Sequence, residues 1–272
     1  VSAAFKTRYG SVGVVAGASE GLGAAFAIAL AARGLDLVLL ARRGTVLDAL
    51  ADELRSAHHV QVTTAVADLA DPSFAKTLAR ATDGLEVGIG VYNAAASFTG
   101  RLLDRPLGDA LHLVDVNIAG PLRFVHAVVP AMRARRRGGL VLMSSLAGCQ
   151  GAPQLAAYAA SKAFNIVLGE SLWGELRGEG VDVVTSCPGA IRTPNFAKAS
   201  TTEAPGTLDS RVVAELTLEA LGHGPIVVPG GVNKLALFLM RRLMSRRSAV
   251  TMMQTNIEKT LGEAEHPPTG SG

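Results

Sequence analysis

Several features that would betray a function quickly are scarce in this sequence. Cysteine occurs twice in 272 residues, as Cys149 and Cys187. The two are far apart and match no metal or redox spacing, so each reads as a small buried apolar side chain. The six histidines form no ligand pattern; His58 and His59 fall in a polar turn, and no metal site is expected. Aromatic residues make up only 4%, and the formal net charge is a modest +3. The basic residues are not interleaved with aromatics, so no nucleic-acid partner is expected. No apolar run reaches the length of a membrane span, and the opening residues carry no secretory pattern. A soluble, cytoplasmic protein is the expectation.

What is present points to a well-buried α/β chain. Hydrophobic residues make up 49% and charged residues 18%, with 30 glycines. Such a chain has a core of Ala, Val and Leu with close backbone approaches, not an aromatic core. Short β-rich runs alternate with longer Ala- and Leu-rich segments. Strands are expected at Val12–Ala16, Leu35–Leu40, Val60–Ala65, Val87–Tyr92, Leu140–Met143, Val181–Cys187 and Ile226–Val228. Helices are expected near 22–33, 45–57, 72–81, 102–133, 154–178 and 208–221. Strands apolar throughout and separated by helices form a parallel sheet covered on both faces. The pattern implies a single doubly wound, Rossmann-type α/β domain over residues 1–232, with a seven-stranded sheet. Residues 233–272 read as a basic, apolar helical extension with a polar tail.

Chemistry concentrates at a few turns. The first strand runs into "AGASEGLG", placing Gly17, Gly21 and Gly23 between a strand and a helix. A glycine turn there lets backbone amides approach a pyrophosphate at the positive end of the helix. Three glycines alone are a weak signal; their position at the start of a βαβ unit favours dinucleotide binding. The second strand ends "LVLLARRGTVL". An acid there would accept from a ribose 2′-hydroxyl, whereas Arg42 and Arg43 suit a 2′-phosphate. Glu20 in the glycine turn works against a phosphate. Asp68, after the third strand, can accept from an adenine amino group or serve as a turn or N-cap residue.

In "LAAYAASKAFN", Tyr158 and Lys162 sit four apart, one turn along a helix face. By itself this is an amphipathic helix with two polar tips. A free tyrosine titrates near ~10, so donating a proton near neutrality takes about 4 kcal/mol of differential stabilisation. A lysine ammonium one turn away supplies part of it.

Taken together, from about Gly10 to Gly230, the sequence resembles the short-chain dehydrogenases/reductases, in particular the subgroup of roughly 250 residues with a Gly-x-x-x-Gly-x-Gly cofactor loop. The resemblance implies that Gly17, Ser19, Gly21, Leu22 and Gly23 form the phosphate loop, and that Asp68 and Leu69 flank the adenine. It implies that Asn93 in "VYNAAA" steadies the sheet beside the cofactor. Asn117, Ser145, Tyr158 and Lys162 match the catalytic residues, with Ser144 as structural neighbour. Pro188, Gly189, Ile191 and Thr193 match the stretch that holds the nicotinamide. Tyr158 and Lys162 also contact the cofactor in this reading, Lys162 through the nicotinamide ribose. Ser145 positions the substrate oxygen, and Asn117 holds a water that relays protons from Lys162.

The implied activity is interconversion of a carbonyl and an alcohol, with NADP(H) favoured over NAD(H). The substrate is expected to be small and hydrophobic, bordered by Phe98, Leu146, Cys149, Leu155 and Phe196, under a lid formed by "NFAKASTTEAPGTLDS". The family also implies a homodimer or homotetramer. Three positions depart from its pattern: Ala16 replaces Thr, and Tyr92 and Ala95 replace Asn and Gly. The stretch "NKLALFLMRRLMSRR", residues 233–247, is an amphipathic helix that either makes a weak membrane-surface contact or docks on the fold or another subunit.

Overall fold

A computed structural model describes residues 2–193 and 205–261. Strands β1 (Val12–Ala16), β2 (Asp36–Ala41), β3 (Val62–Val66), β4 (Val87–Tyr92), β5 (Gly138–Met143), β6 (Val181–Ser186) and β9 (Ile226–Val227) form one sheet. Its order is β3-β2-β1-β4-β5-β6-β9, and every pair is parallel. A separate two-stranded ladder pairs β7 (Ile191–Arg192) with β8 (Leu208–Asp209). Successive strand residues serve opposite faces. On one face Val15, Leu37 and Leu39 pack with Phe26, Leu30, Leu47 and Val213. On the other, Val14, Val38 and Leu40 pack with Phe74, Leu78, Phe124 and Val128.

The helices are α1 (Ser2–Tyr9), α2 (Gly21–Ala32), α3 (Gly44–His58), α4 (Phe74–Ala81), α5 (Leu107–Val114), α6 (Gly120–Arg135), α7 (Ala156–Leu176), α8 (Ser210–Glu219), α9 (Gly231–Arg242) and α10 (Arg246–Leu261). Among the described residues no helix is long and apolar enough to cross a membrane. The order of strand addition reverses between β1 and β4, which opens the crevice where ligands bind in such folds.

Two expectations about elements need correction. The sequence shows no sign of α1, which the tertiary structure holds in place: Tyr9 Oη donates to Asp182 Oδ2 at 2.9 Å and Lys6 Nζ to the Gly34 carbonyl at 2.6 Å. An eight-residue helix is not stable without such contacts. The single helix expected over 102–133 is instead a 3₁₀ turn (Leu102–Asp104), α5, a π-helical turn over Asp115–Ala119, and α6. The break has a local cause. Pro121 has no N–H for the Asn117 carbonyl one turn back, and Tyr92 Oη takes the Val116 carbonyl at 2.7 Å.

The extension beyond residue 232 is not set apart from the domain. Asn233, in the first turn of α9, is buried and donates to the Pro229 and Gly206 carbonyls at 2.9 and 3.1 Å. A Cβ on Gly189 would stand 2.6 Å from Asn233 Oδ1, so α9 is seated against the turn after β6.

Candidate active site

A cavity of about 750 Å³ opens at the carboxyl ends of the strands. The glycine turn forms one wall. Gly17 has φ +84°, and a Cβ there would lie 2.7 Å from the Ala94 amide; a Cβ on Gly23 would lie 1.9 Å from the Gly17 carbonyl oxygen. Only glycine allows α2 to start this close to the strand ends. Asn93 fixes the same junction, its Nδ2 donating to the Gly17 carbonyl at 3.0 Å. Gly17, Ser19, Gly21, Leu22 and Asn93 line the cavity, while Gly23 lies beneath the loop, outside the lining.

Arg42, Arg43, Asp68 and Leu69 line its far end. Arg43 is already engaged: its Nη2 lies 2.8 Å from Glu20 Oε1 and donates to Ser19 Oγ at 3.2 Å. Asp68 is exposed, and its Oδ1 accepts the Ala70 N–H at 3.0 Å. Asp68 is thus a turn residue that also lines the cavity. Gly189, Ile191 and Thr193 line the near end with Tyr158; Pro188 is buried behind them.

The polar residues of α7 and the end of β5 converge here. The Tyr158 side chain faces the cavity, with the Ser145 hydroxyl as its polar neighbour. Ser145 Oγ also accepts the Ala147 N–H at 3.2 Å, capping the short 3₁₀ turn Leu146–Cys149. Lys162 is buried, 2% exposed. Its Nζ lies 5.6 Å from the centre of the Tyr158 ring and donates to the Met143 carbonyl at 3.0 Å. Ser144 Oγ donates to the Lys162 carbonyl at 2.7 Å, so Met143 and Ser144 hold the lysine at both ends. Burial brings the Lys162 ammonium down to about 8, partly offset by Cys187. Burial pushes the Tyr158 phenol up, and Ser145 opposes this. The Lys162 ammonium is thus turned to the Met143 carbonyl while lying beside the Tyr158 ring.

Asn117 is held on both sides. Its Oδ1 accepts the Ala96 N–H and its Nδ2 donates to the Ala96 carbonyl, each at 2.8 Å; Nδ2 also donates to Ser161 Oγ at 3.0 Å. With the side chain fully used, its main-chain carbonyl is what remains for a relay, and Asn165 Nδ2 donates to that oxygen at 3.0 Å. Sequence reasoning passed over Asn165 and Ser161. The available signal was periodicity: Tyr158, Ser161, Lys162 and Asn165 share one face of α7. It also missed His112, which lines the cavity on α5. Phe98, Leu146, Cys149 and Leu155 do not line the cavity, and Phe196 and most of the expected lid lie outside the described residues.

A family model for short chain dehydrogenases matches residues 11–204. The chain belongs to the short-chain dehydrogenase/reductase family. It is an oxidoreductase of that kind, interconverting a carbonyl and an alcohol with a nicotinamide cofactor. Among curated members it is 31% identical over 239 residues to a 7beta-hydroxysteroid dehydrogenase of Collinsella aerofaciens, covering 84% of this chain and 89% of that protein. It is 38% identical over 183 residues to a very-long-chain 3-oxoacyl-CoA reductase of Aspergillus clavatus, covering 64% of this chain but only 52% of that protein. The fold matches a solved 7beta-hydroxysteroid dehydrogenase with a TM-score of 0.87 at 29% identity, over 92% of this chain and 98% of the other. A short-chain dehydrogenase from Sphingobium yanoikuyae in complex with NADPH matches with a TM-score of 0.74 at 26% identity, over 94% and 98%. A 3-oxoacyl-[acyl-carrier protein] reductase of Brucella melitensis with bound NAD matches at 0.72 and 25%, over 82% and 90%.

Proposed function

We propose that this enzyme reduces a hydrophobic ketone of steroid or long-acyl type with NADPH, or runs the reverse oxidation. The observation that carries the proposal is Tyr158 at the cavity wall with Lys162 buried one turn away, its Nζ 5.6 Å from the centre of the tyrosine ring. The cavity fits a dinucleotide: a glycine loop at a helix N-terminus lies at one wall, cations at one end, and a proton donor at the other. Gly17, Ser19, Gly21, Leu22 and Gly23 would hold the pyrophosphate, and Asp68, Leu69 and Asn93 the adenosine half and the sheet end beside it. Pro188, Gly189, Ile191 and Thr193 would hold the nicotinamide, and Lys162 its ribose. When bound, the cofactor supplies or receives the hydride. Ser145 orients the substrate oxygen and stabilises charge developing on it, while Tyr158 gives that oxygen its proton. The Asn117 carbonyl and Lys162 then return a proton to the tyrosine.

NADP(H) is favoured over NAD(H) in this reading because Arg42 and Arg43 stand where an acid would contact a 2′-hydroxyl. The bulk of the proposed substrate is supported by the relatives, which act on a hydroxysteroid and a very long 3-oxoacyl chain. The test is a panel of steroid ketones, 3-oxoacyl thioesters and aromatic ketones, followed by NADPH absorbance and repeated with NADH. Turnover of a bulky apolar ketone with NADPH preferred is the expected result. Equal or better use of NADH would overturn the cofactor assignment, and turnover of polar carbonyls alone would overturn the substrate class.

A second reading concerns the outer face of α9. Leu235, Phe238, Leu239 and Leu243 are exposed beside Arg241, Arg242, Arg246 and Arg247. We infer a weak contact of residues 233–247 with anionic membrane surfaces. Failure to sediment with anionic vesicles at low salt would remove it.

A further inference from the structure

The two cysteines, 38 positions apart in a sequence that gave them no common role, meet in the fold. Cys187 is buried with Ile166 and Val228, and half-buried Cys149 packs against this group together with Leu146 and Leu237. The backbone brings them together. Beyond the β5–β6 ladder, the Ser144 N–H still pairs with the Ser186 carbonyl at 2.8 Å and the Leu146 N–H with the Pro188 carbonyl at 2.9 Å. The 3₁₀ turn Leu146–Cys149 then brings Cys149 against the apolar cluster that holds Cys187.

We propose that Cys149 and Cys187 are a hydroperoxide-sensitive thiol pair that closes to a disulfide and stops turnover. The surroundings divide the two roles. The neighbouring Cys187 thiol brings the Cys149 thiol down to about 7, against its burial; Arg241 on α9 assists and Glu170 opposes. The Cys149 thiol and burial push Cys187 up, while Ser144 opposes. Cys149 is thus the attacking thiolate and Cys187 the resolving thiol. In the first step Cys149 sulfur takes the terminal oxygen of the hydroperoxide, the O–O bond breaks, and the alcohol or water leaves, giving a sulfenic acid. In the second, Cys187 sulfur attacks Cys149 sulfur, its proton goes to the departing hydroxyl, and water leaves. Two thiols are oxidised and one peroxide is reduced.

The bond would act on the catalytic residues through the backbone. A disulfide is about 2 Å long, so two sulfurs that only pack together must close by roughly a further 1–2 Å or more. Cys149 ends the turn that Ser145 caps, and Cys187 precedes Pro188 and Gly189. The turn has no slack on its inner side: a Cβ on Gly148 would stand 2.6 Å from the Lys162 carbonyl carbon. Drawing it toward Cys187 therefore moves Ser145 relative to Tyr158 and Lys162.

The effect on rate rests on the proposed catalytic reading; the disulfide itself does not, and the experiment separates them. The reduced protein, freed of reductant, is treated with hydrogen peroxide. Intact mass, thiols titrated in denaturant, and the NADPH-dependent rate are then followed. The expected result is loss of both thiols, a mass lower by two hydrogens, and a tenfold to hundredfold fall in rate, about the cost of an ångström-scale misplacement. Dithiothreitol should restore all three. Cys149→Ser, whatever its starting rate, should keep that rate under peroxide. Cys187→Ser should stop at a sulfenic acid on Cys149 that dimedone labels. Persistence of both thiols, bonds formed only between chains, or a disulfide formed with no change in rate would overturn the proposal. A disulfide in a protein that reduces no ketone in either state would sink the catalytic reading and leave the thiol chemistry standing.

Discussion

At the scale of single residues, the site trades stability for chemistry. Lys162 is a buried cation with one hydrogen bond to Met143. Its proton affinity is lowered on folding, from 10.5 to about 8. The unfolded chain therefore binds more protons between those values, and stability rises with pH across that window. The contribution is fully present above the unfolded value and lost as pH falls through about 8. Lys162→Met should then raise the melting temperature at pH 7, and its advantage over the wild type should shrink toward pH 10. A constant gap across that range would show that burial of the charge is not the cause. Tyr158→Phe keeps the ring and removes the proton donor. It should lower the rate by roughly 10²–10⁴-fold, the usual contribution of a general acid, with NADPH affinity by fluorescence unchanged. Glu20 occupies Arg43 at 2.8 Å, so an incoming 2′-phosphate must compete for that cation. Glu20→Gln should raise the kcat/KM preference for NADPH over NADH by about 5- to 30-fold, on the order of 1–2 kcal/mol for one partly exposed competing charge. An unchanged ratio would place phosphate recognition on Arg42 alone.

At the scale of elements, the departure at Tyr92 is accommodated by its neighbours. The ring is buried against Phe124, and its hydroxyl takes the Val116 carbonyl that the π-helical turn releases. Space for that hydroxyl comes from Gly120, where a Cβ would stand 2.0 Å from Tyr92 Oη. Gly120→Ala should destabilise the protein by about 1–3 kcal/mol through overpacking, measured by urea unfolding. Adding Tyr92→Phe should recover part of the loss, since it removes the clashing oxygen. Additive losses would mean that the two positions are not coupled. The same turn explains Asn165. With Pro121 lacking a donor, the Asn117 carbonyl is free to be held from α7 by Asn165.

At the scale of the whole molecule, α5, α6 and α7 leave apolar side chains exposed, Leu107 at 73% alongside Leu111, Leu122 and Val167. Exposed side chains of this kind are expected to be covered by a second copy. Light scattering at micromolar concentration should give a dimer or tetramer, and a monomer there would contradict it. Seating α9 on the turn after β6 also ties the extension to the site, since Asn233 leaves no room for a Cβ on Gly189.

What the chain determined locally is the order of strands and helices and the glycine turn. Apolar runs of strand length and a turn at a helix start are written in adjacent residues. Strands at Val12–Ala16 and Val87–Tyr92 were legible to the residue, and so was the Tyr158–Lys162 face of α7. Only the tertiary structure decided what depends on residues remote in sequence. It joined Glu20 to Arg43, turned Lys162 toward Met143, made room for Tyr92 at Gly120, and brought Cys149 onto Cys187. It also stabilised α1, which is too short to hold itself. These contacts span tens of residues and follow from sheet register and helix placement, and no local periodicity encodes them.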